Sequence, residues 1–108
     1  MNQNLMDEIL GVYLKHGWQT RRLLLTPSMR AELDLSKLDG AVSITESDFD
    51  AVWFSRPSHQ QREAWELRLL SEQAYALFET FEADEIEEDR EERRQELEAT
   101  MREKISGQ

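Results

Sequence analysis

The sequence predicts an α+β protein: a mainly antiparallel sheet of four or five strands packed against an N-terminal helix, with a long charged C-terminal helix. Three observations carry that expectation. The chain opens on an apolar stripe at intervals of four, Leu5, Ile9 and Tyr13. Its middle holds short aromatic-rich segments separated by polar turns. Its end is dominated by charge, with acidic residues gathered early and basic residues late, as a helix dipole favours.

The first helix is expected over residues 4–16. Met6 and Leu10 flank the stripe, Asn4 can cap the first turn, and Asp7 and Glu8 suit its positive end. Lys15 and His16 suit the negative end, and Gly17 can take the left-handed closing conformation. "WQTRRLLLT" then reads as a strand. It ends at Thr26, which can cap a short helix opening on Pro27, with Met29 and Leu33 on that helix's inner face. Asp39-Gly40 signals a turn, "AVSI" a short strand, and "TESDFD" a loop.

Residues 51–81 allow two incompatible readings. One is a three-stranded meander: "AVWFSR", a turn at "PSHQQ", "EAWELRLL", a turn at "SEQ", and "YALFETF". Trp65, Leu67 and Leu69 alternate with Glu66 and Arg68, the pattern of a strand with one wet face. The other is a long helix from about residue 59, opened by a Ser58–Gln61 capping box and carrying Leu67, Leu70, Ala74, Leu77, Phe78 and Phe81 on one stripe. That would make the protein all-α. With no Gly or Pro from 58 to 106, such a helix has nothing to stop it, and it would far exceed the usual length of about 11 to 12 residues. Its stripe also ends at Phe81, so the meander is preferred, with its aromatic residues packing one sheet face against the first helix. The final helix is expected over 85–104, opened by an Asp84–Glu87 capping box. The organisation is then one α+β domain over 1–82 followed by an acidic helical segment over 83–108.

Composition narrows function. A chain of 108 residues suits one domain with a modest core. The absence of cysteine removes disulfides, thiolate metal sites and cysteine nucleophiles, and it favours a reducing compartment, hence the cytoplasm. No apolar run reaches the roughly 20 residues of a membrane span, and the N-terminus lacks the flank and cleavage site of a signal peptide. The net charge of −10 is uneven: residues 1–70 carry −2 and residues 71–108 carry −8. Such a tail repels phosphate, so neither nucleic acid nor an anionic membrane is an expected partner.

Catalytic chemistry is thinly represented. His16 is explained by its place at a helix C-terminus, and His59 lies in a polar turn where only a helix would bring it to Glu63. Asp48, Asp50 and Glu66 suggest the acidic layout of a metal-dependent nuclease. The position a lysine would take there holds Arg68, which cannot shed its proton, so an ion pair is the expected role. No serine sits in a nucleophile elbow, and the four glycines are scattered. Catalytic, cofactor-binding and metal-ligating residues are therefore left unassigned, and no cofactor is expected.

The expected function is a small non-catalytic protein-interaction or regulatory module whose partner is another protein or a second copy of itself. The alternatives are a metal-dependent, nuclease-like enzyme and an acidic mimic of nucleic acid built on "EADEIEEDREE". Two docking candidates follow. In the last helix Leu97, Met101 and Ile105 recur every four residues after a gap filled by Arg90, Arg93 and Arg94, and they serve either a partner or the chain's own sheet. In "AVWF", successive apolar residues require both sheet faces to be covered, so Trp53 faces either the C-terminal helix or another molecule.

Overall fold

A computed structural model describes residues 2–107. It is an α+β fold: helix α1 (Asn2–Lys15), strand β1 (Gln19–Leu25), helix α2 (Pro27–Glu32), strands β2 (Ser43–Glu46), β3 (Ala51–Pro57), β4 (Glu63–Leu69) and β5 (Ala76–Phe81), and helix α3 (Glu87–Ser106). The five strands form one sheet in the order β2-β1-β3-β4-β5. All neighbours are antiparallel except β1 and β2, which run parallel.

The meander is present over β3, β4 and β5, and the long helix from about residue 59 is absent. Between β3 and β4 the backbone turns at Gln60 and Gln61, whose φ angles of 58° and 64° cannot continue a right-handed helix. Ser58 makes no side-chain cap there. Three other expectations shift. Asn4 lies inside α1 and does not cap it, because the helix already includes Asn2. The strand expected at "AVSI" begins at Ser43 and takes in Thr45 and Glu46 from the segment read as loop, since parallel pairing sets Arg22 against Ser43 and Leu25 against Glu46. The Asp84–Glu87 box does not form: α3 starts after Ile86, and Glu87 turns its carboxylate to Arg94 instead.

The two faces of the sheet are buried differently. Leu23, Leu25, Val52, Phe54 and Ala64 meet Met6, Ile9 and Trp18 on the α1 side, where Tyr13 stacks on Phe54 with ring centroids 3.9 Å apart. Leu24, Ala51, Trp53, Trp65, Leu67 and Phe81 meet Met101 on the α3 side. The aromatic residues thus serve both faces, not the α1 face alone, because strand alternation sends Trp53 and Phe54 in opposite directions. β4 has no wet face: Ala64 is buried, and Glu66 lies beneath α1 with its carboxylate accepting from the Tyr13 hydroxyl.

Candidate functional site

Helix α3 explains where the docking residues read from the sequence have gone. Trp53 is 0% exposed and donates its indole N–H to Glu98 Oε2 at 2.8 Å. Met101 is buried in the same cluster, Leu97 packs against it, and Ile105 is partly exposed near the helix end. The stripe folds back on the sheet, and Leu97, Met101 and Trp53 meet there. The run of arginines continues that stripe. Arg94, its side chain 3% exposed, lies over the Trp65 ring at 4.1 Å and over Phe81 at 5.3 Å, while two of its N–H groups reach Glu87 and Glu91 at 2.7 and 2.8 Å. Arg93 covers Phe81 at 4.8 Å and pairs with Glu85 at 3.0 Å. Arg90 bridges to Glu63 at 3.2 Å, and Arg22 of β1 meets Glu91 at 3.1 Å. A guanidinium gives a flat apolar face to a ring and a rim of donors to carboxylates, so this helix covers aromatic surface with cations.

The electrostatics follow from those contacts. Burial alone raises the Glu91 carboxyl, but hydrogen bonds from Arg22, Gln95 and Arg94 outweigh it and hold the group at about 2. The hydrogen bond from Arg94 likewise lowers Glu87. On the other face, burial and then the contact with Glu66 raise the Tyr13 hydroxyl, which stays a donor.

The carboxylates of the nuclease-like reading do not converge. Asp48 pairs with Arg102 at 2.9 Å on the α3 side, Asp50 accepts the Thr26 amide at 2.7 Å, and Glu66 belongs to Tyr13 on the opposite face. The cross-strand ion pair expected of Arg68 is replaced as well. Arg68 donates to the carbonyls of Leu69, Ser71 and Gln73, closing the turn before β5, because that turn leaves several carbonyls pointing at one place. His16 Nδ1 lies 2.8 Å from the Val12 carbonyl. Among the described residues, no three His, Asp or Glu side chains come together as metal ligands would.

The α1 side of β4 and β5 is open, as is a second groove of about 560 Å³ at the other end of α1, where Leu14 is 73% exposed beside Trp18 and Leu38. A groove of about 530 Å³ runs on the α1 side of β4 and β5, lined by Leu5, Ile9, Val12 and Tyr13, with Glu8, Glu72 and Arg68 among its polar walls. Val12 is 50% exposed and Phe78 is 57% exposed. Phe78 sits directly across from Glu66, and Ala76 from Arg68, so β5 borders the groove. The sequence reading missed Phe78 as a surface residue, although the signal was present. Phe78 and Phe81 are three positions apart, so in a strand they point to opposite faces, and one helix cannot cover both.

No helix among the described residues is long and apolar enough to cross a membrane. In comparisons with known proteins, no protein family, no curated protein and no solved structure matches this chain.

Proposed function

We propose that this chain is a small, non-catalytic protein-binding module, working in the cytoplasm, whose contact surface is the face made by α1 and the β4–β5 hairpin. One observation carries the reading: with α3 seated over Trp53, Trp65 and Phe81, Val12 and Phe78 stay bare on two rigid elements, the helix and the edge strand that flank one groove. Apolar side chains held on rigid elements around a concavity, with polar groups at the rim, have the anatomy of an interface. Another protein suits this surface better than a second copy, because two chains each carrying −10 repel one another on approach.

Photo-crosslinking in the native cell tests the reading. A benzophenone side chain at position 12 or 78 should trap one and the same protein, and one at Thr100, on the outer side of α3, should not. Equal trapping from all three positions, or none from position 78, would contradict it.

A further inference from the structure

We draw no further inference here: the strongest candidate, the outer edge of strand β5 at Ala76 and Phe78 beside the α1 groove, has charges of both signs around it in Glu8, Glu72 and Arg68, and nothing in the structure shows what covers it.

Discussion

Gly11 and Gly17, one inside α1 and one just past its end, lead to opposite predictions from the same substitution. No atom lies within 4 Å of a methyl group added at either position, so packing does not enter. Gly11 is helical and exposed, and Gly11→Ala should stabilise the fold by about 1 kcal/mol through helix propensity. Gly17 has φ +86°, and Gly17→Ala should cost about 1 to 2 kcal/mol in backbone strain. Urea titrations of the two variants should move the midpoint in opposite directions. Arg94 gives a sharper case. Arg94→Ala removes the cover over Trp65 and one partner each of Glu87 and Glu91, which stay in reach of water, a loss of about 1 to 2 kcal/mol. Arg94→Lys should recover little of it, since an ammonium cannot lie flat on the Trp65 ring. Recovery of wild-type stability by lysine would show that charge alone matters at this position.

At the scale of the element, α3 is fastened by ion pairs, which makes its seating sensitive to acid. Glu91 titrates at about 2 in the folded chain against an ordinary 4.5, and Glu87 is lowered as well. Groups whose folded value is depressed add stability that is fully present above the ordinary value. That stability is lost as pH falls through the window down to the folded value. Stability should therefore hold from neutral pH to about 4.5 and decline toward about 2, with tryptophan emission reporting exposure of Trp53 and Trp65. Glu91→Gln should flatten that decline while lowering stability at pH 7. A wild-type acid profile that stays flat through this window would mean that these pairs do not hold the helix. The arginines also explain why α3 was only partly legible in the sequence. Arg90, Arg94, Leu97 and Met101 recur at helical spacing, but a search for apolar periodicity sees the arginines as a gap. Their role depends on rings supplied by β4 and β5, which the helix's own sequence does not contain.

At the scale of the molecule, the three-stranded meander was legible because short aromatic-rich segments are separated by polar turns and Trp65, Leu67 and Leu69 alternate with polar residues, local patterns set by the pleat. The choice of covering element was not local. Glu66 and Arg68 read as a wet face, yet Glu66 is bound by Tyr13, which lies fifty-three residues away in sequence. Trp53 read as facing either the C-terminal helix or a partner, and α3 takes that place by returning across the sheet to bring Glu98 to its indole. The proposed contact face draws on the same fact, because a sheet sealed on its α3 side leaves the α1 side, with Val12 and Phe78 bare, as the sheet face still open to a partner. The seating of α3 is thus the claim on which the assignment of surfaces depends, and exchange of the indole protons measures it most directly. The indole N–H of Trp53, 0% exposed and bonded to Glu98, should exchange at a rate tied to global unfolding and should speed up in Glu98→Ala. Exchange of that proton at the rate of a free indole in the native chain would contradict the account.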